Sequence, residues 1–470
     1  MKRTHAIELP QEEILHQKDL MRQFSLIEDR PKTYCVVTYG CQMNAHDSEK
    51  LEGMLFQMGM TQANSREEAD FVIFNTCCVR DNAQRRALGN VVWLKELKKK
   101  RPEMMVAVCG CMMQQPGMGE QILRQYPFVD LAFGTHNLYR FAQLMLQRVK
   151  TRRRVVEVLD DDEGSIPEDL PVRRSSLYHA YITIMYGCNN FCSYCIVPYV
   201  RGRERSRASS RILEEARMLK EDGVKEIMLL GQNVNSYGLD VEGELSFAQL
   251  LEKLDQIGIE RIRFMTSHPK DISDELIDVI SRSRHICHSL HLPVQHGNNR
   301  VLASMNRKYT RERYLERVAS IRRKIPDISL TTDLIVGYPG ETEEEFEDTC
   351  SLVREVGYDS AFTFIYSPRV GTRAADMDDQ IPEEVSSRRI QKLIAVQKEN
   401  THQRYAAYIG QVHSVLVDEA SKRDESQMAG KNEYNITVNF PGSAELIGQI
   451  VRVKITSAGE STLRGEMVEE

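Results

Sequence analysis

The sequence lacks the features that mark membrane, secreted and nucleotide-phosphate-binding proteins. No run approaches the roughly eighteen apolar residues that a membrane helix needs. The N-terminal stretch is not an apolar signal-peptide core, since it carries Glu8, Glu12 and Lys18. Neither a P-loop nor a complete G-x-G-x-x-G is present. We therefore expect a cytoplasmic protein that binds no membrane and does not act on nucleotide phosphates.

An excess of basic charge is also missing. The 62 Lys and Arg residues are outnumbered by 68 Asp and Glu residues, for a net charge of −6, so any RNA partner would have to be held by local patches. The 470 residues are enough for two or three domains, each with its own core. Eleven cysteines, an odd number in a chain with no sign of secretion, favour metal or redox use over a disulfide framework.

Three of the cysteines lie within eight residues. Cys188, Cys192 and Cys195 follow a C-x3-C-x2-C spacing. A structural zinc site would need a fourth ligand; the nearest upstream histidine is His179, and none follows closely. A four-iron cluster held by only three thiolates instead keeps one iron open to an outside ligand. The alternative is three incidental loop cysteines, but such tight spacing of a scarce residue favours a cluster.

The first third of the chain predicts a Rossmann-like parallel α/β domain over residues 33–151. Apolar runs alternate with helical stretches, which is the pattern of a βαβαβ unit. Residues 1–32 form a polar extension with weak helical periodicity, to which we assign no chemistry. The alternating segments are 34–39, about 47–58, 71–74, about 80–100 and 104–108.

A cysteine follows each of the three predicted strands. Cys41, Cys77 and Cys111 are separated by 36 and 34 residues. Because parallel strands end at one edge of a sheet, where open α/β folds bind ligands, we expect these thiols to converge on a second cluster site. Buried loop cysteines without a ligand are the alternative. Cys109 should lie within its strand and Cys78 should point away, so neither is assigned a role.

The segment 152–173 is rich in charge, including the acidic run 160–163, and predicts a linker. Residues 174–404 then alternate between apolar and helical stretches, which predicts a partial (β/α)6 barrel with its site at the carboxyl ends of the strands. The predicted strands are 180–185, 226–230, 262–265, 289–293, 330–336 and 361–366.

Unusual residues follow several of these strands. Singly, His268 or His296 is more often a hydrogen-bonded structural histidine, but shared placement at one rim favours a pocket. The residues that close the second to fifth strands are Gly231, Gln232 and Asn233, then His268, then His296, then Gly337 and Glu341.

Four arginines alternate with other residues after the cysteine loop: Arg201, Arg203, Arg205 and Arg207. An extended segment would align all four on one side. Because arginine binds phosphate well, we predict that this row contacts RNA. The alternative is a solvated charged face without a partner.

The pattern of apolar residues changes near the end of the chain. A helical stretch at about 382–408 is followed by segments that alternate with period two, which predicts a small antiparallel β-barrel over residues 407–470. The predicted strands are 411–417, 434–440, 450–455 and 462–467.

The central triplet, with Tyr194 just before its last cysteine, resembles the signature of the radical S-adenosylmethionine (SAM) superfamily. The resemblance implies that the open iron of a 4Fe-4S cluster chelates SAM and that an electron from the cluster releases a 5′-deoxyadenosyl radical. It also implies that Tyr194 and the segment 231–233 lie at SAM, with the segment 337–341 near its adenine. The acidic residue usual in the superfamily is absent from the segment 231–233.

The three N-terminal loops, among them Tyr-Gly-Cys-Gln-Met-Asn at 39–44, resemble those of the methylthiotransferases, and the C-terminal barrel resembles the RNA-binding TRAM module. The family implies a second, auxiliary 4Fe-4S cluster on Cys41, Cys77 and Cys111 that carries the sulfur. It implies methylthio transfer to C2 of N6-dimethylallyladenosine beside the anticodon, with the tRNA anticodon stem-loop as substrate. An electron donor, such as a flavodoxin or ferredoxin, and a sulfur donor are expected partners.

Two other functions compete with this interpretation. A sister enzyme would act on threonylcarbamoyladenosine or on a ribosomal protein, and an iron–sulfur RNA-binding protein would have no turnover. Formation of 5′-deoxyadenosine separates enzyme from regulator. Because the N-terminal triplet is predicted on its own sheet, we also expect its cluster to form without the central one.

Overall fold

A computed structural model describes residues 3–4, 8–78, 81–159, 166–421 and 424–468. The acidic run 160–163 of the predicted linker lies outside the described residues. Within them, every helix is too short or too polar to cross a membrane.

The N-terminal domain is a six-stranded parallel sheet in the order β2-β1-β3-β4-β5-β6. Its central strands are continuous apolar runs, because helices cover both faces. The parallel α/β prediction is confirmed. The elements are α1 (Gln11–Ser25), β1 (Thr33–Tyr39), α2 (Gln42–Gln57), β2 (Thr61–Gln62), β3 (Phe71–Thr76), α3 (Asp81–Lys100), β4 (Met105–Cys109), α4 (Met118–Gln125), β5 (Leu131–Phe133), α5 (Phe141–Thr151) and β6 (Val155–Glu157).

Two predicted boundary segments belong to this domain. The polar extension contains α1, whose buried face, including Met21 and Phe24, packs into the same core as α2 and α5. The predicted linker contributes β6, which pairs with β5. Both contributions were missed because α1 is only weakly periodic and β6 is three residues long.

The central domain contains two parallel three-stranded sheets, β11-β10-β7 and β12-β13-β14. A parallel bridge between Ile262 and Ile286 joins them, which gives the predicted six-stranded partial barrel. The elements are β7 (His179–Thr183), β8 (Met185–Tyr186), α6 (Val197–Val200), β9 (Arg205–Ser206), α7 (Ser209–Glu221), β10 (Glu226–Leu230), α8 (Phe247–Ile257), β11 (Arg261–Phe264), α9 (Asp274–Arg282), β12 (Ser289–His291), α10 (Asn299–Ser304), α11 (Arg311–Lys324), β13 (Ser329–Val336), α12 (Glu343–Val356), β14 (Ser360–Ile365) and α13 (Glu383–Ala406).

The two domains share a hydrophobic core at their junction. Ile196 and Val200, which directly follow the central triplet, are buried in one cluster with Cys78 and Cys111. The Thr135 hydroxyl donates to the Val200 carbonyl at 2.9 Å. This continuity runs against the expectation that the N-terminal site is independent, because one wall of its core comes from the central domain.

The C-terminal domain is a closed barrel in the order β15-β16-β17-β19-β18. One pairing, β17 with β19, is parallel, so the barrel is not purely antiparallel as predicted. The strand β16 was missed because its sequence is mostly polar and lacks period-two alternation. The strands are β15 (Val412–Ser421), β16 (Asp424–Asn432), β17 (Thr437–Pro441), β18 (Ile450–Ala458) and β19 (Thr462–Met467).

This barrel docks on the amino ends of the central strands. Arg261, the first residue of β11, donates to the Lys431 and Ser414 carbonyls at 2.7 and 2.6 Å. Arg263 donates to the Asn432 carbonyl at 2.7 Å. The C-terminal barrel therefore lies at the end of the central barrel opposite the carboxyl-end rim.

Candidate functional site

The three cysteines at the N-terminal strand ends converge, as predicted. The Cys77 thiol donates hydrogen bonds towards both Cys41 and Cys111. The buried Asn44 places its amide oxygen 3.4 Å from the Cys41 sulfur and 4.0 Å from the Cys111 sulfur. At Gly40, where φ is +148°, a Cβ would lie 2.4 Å from the Cys77 Cβ. Only glycine lets the first loop approach the second this closely.

The environment of this triplet favours thiolates at Cys41 and Cys111, whereas the hydrogen bonds to these two residues, together with burial, raise the pKa of Cys77. The hydrogen bond from Cys77, with further help from Arg201 and the Met43 and Asn44 amides, lowers the pKa of Cys41 to about 6. A hydrogen bond from Cys77 likewise lowers the pKa of Cys111. Cys41 is the N-cap of α2, so the positive end of the helix dipole adds to this stabilisation.

Arg201 reaches this triplet from the central domain. Its Nε donates to the Cys111 sulfur at 3.0 Å, and its Nη2 donates to Asp47 at 2.7 Å. The residue is only 6% exposed. This contact is not predictable from local sequence, because 90 residues separate the two partners.

The prediction that the row of arginines at 201–207 contacts RNA is therefore wrong. Besides Arg201, both Arg205 and Arg207 are buried, and Arg207 pairs with Glu168 at 2.5 Å. Only Arg203 of the four is exposed. Most of this segment is buried rather than on the surface, and Arg201 and Arg207 form ion pairs inside the protein.

Cys109 and Cys78 occupy different positions. Cys109 lies within β4, as predicted, and burial raises its pKa well above the usual value. Cys78 is fully buried; burial raises its pKa, and the nearby Cys111 and Cys195 raise it further. Cys78 thus lies between the two triplets.

The central triplet lies on the loop between β8 and α6. The Cys188 amide donates to the Gly202 carbonyl at 3.1 Å, and the Cys195 amide donates to the Cys192 carbonyl at 2.9 Å. Burial raises the pKa of Cys188 to about 12 and also raises that of Cys195. These thiols would ionise when a cation or cluster compensates their charge.

A second arginine that the sequence analysis missed supports this loop. One nitrogen of Arg307, Nη1, lies 3.4 Å from the Cys192 sulfur and 3.4 Å from the Tyr194 hydroxyl. Its other terminal nitrogen donates to the Pro293 carbonyl at 2.6 Å. Each triplet therefore has one arginine at one of its sulfurs.

The donor chemistry of the two triplets is compatible with iron–sulfur clusters, whose usual ligands are cysteine thiolates. Among the described residues, no group of three or more His, Cys, Asp or Glu side chains could hold one metal ion. A cluster occupies the space between its thiolates, so its ligands need not meet at a single point. Two all-cysteine sets, each with three sulfurs, match this requirement.

Several buried polar atoms without hydrogen-bond partners lie at the carboxyl-end rim. Such atoms are rare in folded proteins unless a ligand or water satisfies them. All four side chains follow either β10 or β11, two neighbouring strands. The atoms are Gln232 Oε1, both amide atoms of Asn235, Ser267 Oγ and His268 Nε2.

Other predicted rim residues build the loops instead. The Asn233 amide donates to Asp271 at 2.7 Å and accepts from the His268 amide at 3.1 Å. Both polar atoms of its side chain are thus engaged, whereas the Gln232 oxygen remains available.

Glu341 is likewise enclosed by protein partners. Its carboxylate accepts from the Gly337 amide and from Arg389, each at 2.7 Å, and lies 2.8 Å from the His296 ring. Gly337 has φ of +72°, and a Cβ there would lie 2.3 Å from the Ser386 hydroxyl. Glu341 and His296 therefore hold the loop 337–341 in place.

Comparison with protein families divides the chain as its fold does. The Radical SAM superfamily matches residues 182–353. The family described as uncharacterized protein family UPF0004 matches residues 33–134. The TRAM domain matches residues 406–468.

Full-length relatives are similar across all three parts. The tRNA-2-methylthio-N(6)-dimethylallyladenosine synthase of Acetivibrio thermocellus is 50% identical over 452 residues, 96% of this chain and 94% of that protein. The enzyme of the same name from Alkaliphilus oremlandii is 50% identical over 100% of both chains.

A solved radical SAM methyltransferase from Kitasatospora setae has a TM-score of 0.54 at 14% identity and covers 73% of this chain and 75% of that one. That likeness concerns the fold alone. The identity and coverage of the full-length relatives show that the chain belongs to the tRNA-2-methylthio-N(6)-dimethylallyladenosine synthase family of radical SAM enzymes.

Proposed function

We propose that this chain adds a methylthio group to C2 of N6-dimethylallyladenosine in tRNA, beside the anticodon, as the names of its relatives indicate. The observation that carries the proposal is the presence of two all-cysteine triplets on either side of one shared core. A ring C–H bond is inert to ordinary acid–base chemistry, so a radical must activate it. The incoming sulfur needs a second metal site on which to be held.

The two sites would have different tasks. Cys188, Cys192 and Cys195 would hold the 4Fe-4S cluster that binds SAM. Cys41, Cys77 and Cys111 would hold the auxiliary cluster. When bound, these clusters supply the electron that cleaves SAM and the iron that carries sulfur. The protein's own part is to place the thiolates, to exclude water by burial, and to set charge near the sulfurs with Arg201 and Arg307.

SAM would bind at the carboxyl-end rim. The Gln232 oxygen is a buried acceptor without a partner, which suits the ammonium group of SAM in place of the missing acidic residue. At Gly231 a Cβ would lie 2.7 Å from the Met185 side chain, so only glycine lets the backbone of this loop lie so close to Met185. Tyr194 would flank the site, while Asn233, Gly337 and Glu341 would hold its loops.

The phosphates of tRNA need a basic surface other than the arginine row. Helix α3 begins just after Cys78 and contains six Lys and Arg residues against two acidic ones. Trp93 on the same helix is 46% exposed beneath the Arg66 guanidinium, 4.5 Å from the ring centroid. We assign RNA contact to this helix, because exposed cations beside an aromatic ring suit phosphate and base. Its exposed cations include Arg86, Lys95, Lys99 and Lys100.

The remaining partners follow from the chemistry. Cleavage of SAM consumes an electron, so a low-potential donor such as a flavodoxin or ferredoxin must deliver it. Transfer of a sulfur atom in each cycle requires a sulfur donor. Because tRNA is the substrate, we place the reaction in the cytoplasm.

The decisive experiment uses the anaerobically reconstituted protein with dithionite, SAM and tRNA that carries dimethylallyladenosine. We expect 5′-deoxyadenosine and the 2-methylthio nucleoside, both detected by mass spectrometry. The same tRNA without the dimethylallyl group is the control. Product on threonylcarbamoyladenosine or on a ribosomal protein instead would favour the sister enzymes, and the absence of 5′-deoxyadenosine would favour a regulator.

A further inference from the structure

Arg201 is a side chain of the central domain that reaches into the N-terminal cysteine site. It lies six positions after Cys195, immediately after α6, yet its guanidinium contacts Cys111 of the other domain at 3.0 Å. Asp47 of α2 accepts from its Nη2 at 2.7 Å. The residue is buried, and Ile196 and Val200 on its own segment pack against Cys111. Its position is thus set from both sides.

A guanidinium at this position has a definite electrostatic effect. Reduction adds negative charge to an iron–sulfur cluster, and a hydrogen bond or cation at a ligand sulfur stabilises the reduced form. The interior is poorly screened, so a buried charge acts strongly on a neighbouring sulfur. The pairing with Asp47 aims Nε at the sulfur and moderates the net charge.

We propose that Arg201 is a positioning residue for the auxiliary cluster. Through its hydrogen bond to Cys111, Arg201 raises the reduction potential of that cluster. Because the arginine belongs to the central domain, the auxiliary site is complete only when the two domains are docked. This inference rests on the proposed function, since it requires the second cluster to exist.

A purely structural role for Arg201, as an ion-pair tie between domains, makes a different prediction. Arg207 offers a matched control on the same segment. It is similarly buried, at 8% exposed, and is paired with Glu168. Loss of either arginine would remove a buried ion pair from this segment, but of the two only Arg201 contacts a cluster cysteine.

The test is a redox titration followed by electron paramagnetic resonance on the full-length, reconstituted protein. Wild type, Arg201→Gln, Arg201→Lys and Arg207→Gln are compared, with iron per chain measured in each. SAM perturbs the signal of the cluster that it chelates, so the SAM-insensitive signal reports the auxiliary cluster. The readout is its midpoint potential, which is independent of turnover.

We expect the midpoint of the SAM-insensitive signal to fall in Arg201→Gln, to fall less in Arg201→Lys, which keeps the charge, and to stay unchanged in Arg207→Gln. Selective loss of about four irons in Arg201→Gln alone would also support the role. If Arg201→Gln does not fold, the midpoint of Arg201→Lys decides.

Two results would overturn the inference. One is a wild-type midpoint in an Arg201→Gln protein with full iron content. The other is an equal shift in Arg207→Gln, which would trace the effect to the loss of a buried ion pair on this segment rather than to the contact with Cys111. About four irons in the wild-type protein would be a separate failure, because it would refute the two-cluster proposal before Arg201 is considered.

Discussion

Replacing Cys77 with alanine tests the auxiliary site most directly. Cys77 is the middle member of its triplet, hydrogen-bonded to both other thiols. Alanine keeps the Cβ that faces Gly40 and removes only the sulfur. We expect iron to fall from about eight to about four atoms per chain, because two thiolates are too few to hold a four-iron cluster.

Cys109→Ala is the matched control. Cys109 is as buried as Cys77, each at 1% exposed, and it lies only two positions from Cys111. Removing one buried sulfur should cost on the order of 1 kcal/mol through lost packing in either variant. That cost is small beside the roughly 5–15 kcal/mol of a typical domain, so both variants should fold.

The assay is iron and acid-labile sulfide per chain after anaerobic reconstitution, with circular dichroism to confirm the fold. The variant Cys77→Ala should still form 5′-deoxyadenosine but transfer no sulfur. About eight irons in folded Cys77→Ala, or loss of four in folded Cys109→Ala, would refute the ligand assignment.

Four further changes probe other parts of the structure. Arg263→Gln removes the buried guanidinium that donates to Glu226 at 2.8 Å, which should lower the free energy of unfolding by about 3–5 kcal/mol. Because Arg263 also holds the C-terminal barrel, proteolysis of that barrel should become faster; an unchanged rate would contradict this. Burial, and to a smaller extent repulsion from Glu226, raises the pKa of Asp418 to about 6. The neutral side chain therefore contributes fully to the free energy of unfolding below about pH 4, and this contribution is lost as the pH rises through 6. Asp418→Asn should therefore stabilise the fold more at pH 7.5 than at pH 5, by up to about 2 kcal/mol after allowance for partial exposure, and this should appear as a larger rise in melting temperature at pH 7.5; an equal rise at both pH values would argue against it. Gly337→Ala, which forces a Cβ to within 2.3 Å of Ser386, should weaken SAM binding by calorimetry, and wild-type affinity would remove the loop 337–341 from the SAM site. The double variant Lys95→Gln, Lys100→Gln should bind tRNA more weakly and with a smaller dependence on salt concentration. An unchanged salt dependence would show that α3 does not contact RNA.

Local patterns were enough to predict the architecture. Apolar periodicity located the six strands of the central barrel, and the parallel sheet in turn predicted that Cys41, Cys77 and Cys111 would meet at one edge. These inferences succeeded because strand direction and side-chain period are properties of short segments. Spacing alone likewise marked the central triplet.

The charges that surround the cysteines were decided only by the tertiary structure. An alternating arginine segment has the same local sequence whether it faces solvent or lies between two domains, so Arg201 was assigned to RNA rather than to Cys111. Arg307 and Asn44 were missed for a related reason, since their contacts depend on how separate loops pack. The tertiary structure was also needed to distinguish Gln232, whose side-chain oxygen has no partner, from Asn233 and Glu341, whose side chains are hydrogen-bonded. Hydrogen-bond partners are set by the docking of distant segments, and a linear pattern does not contain that information.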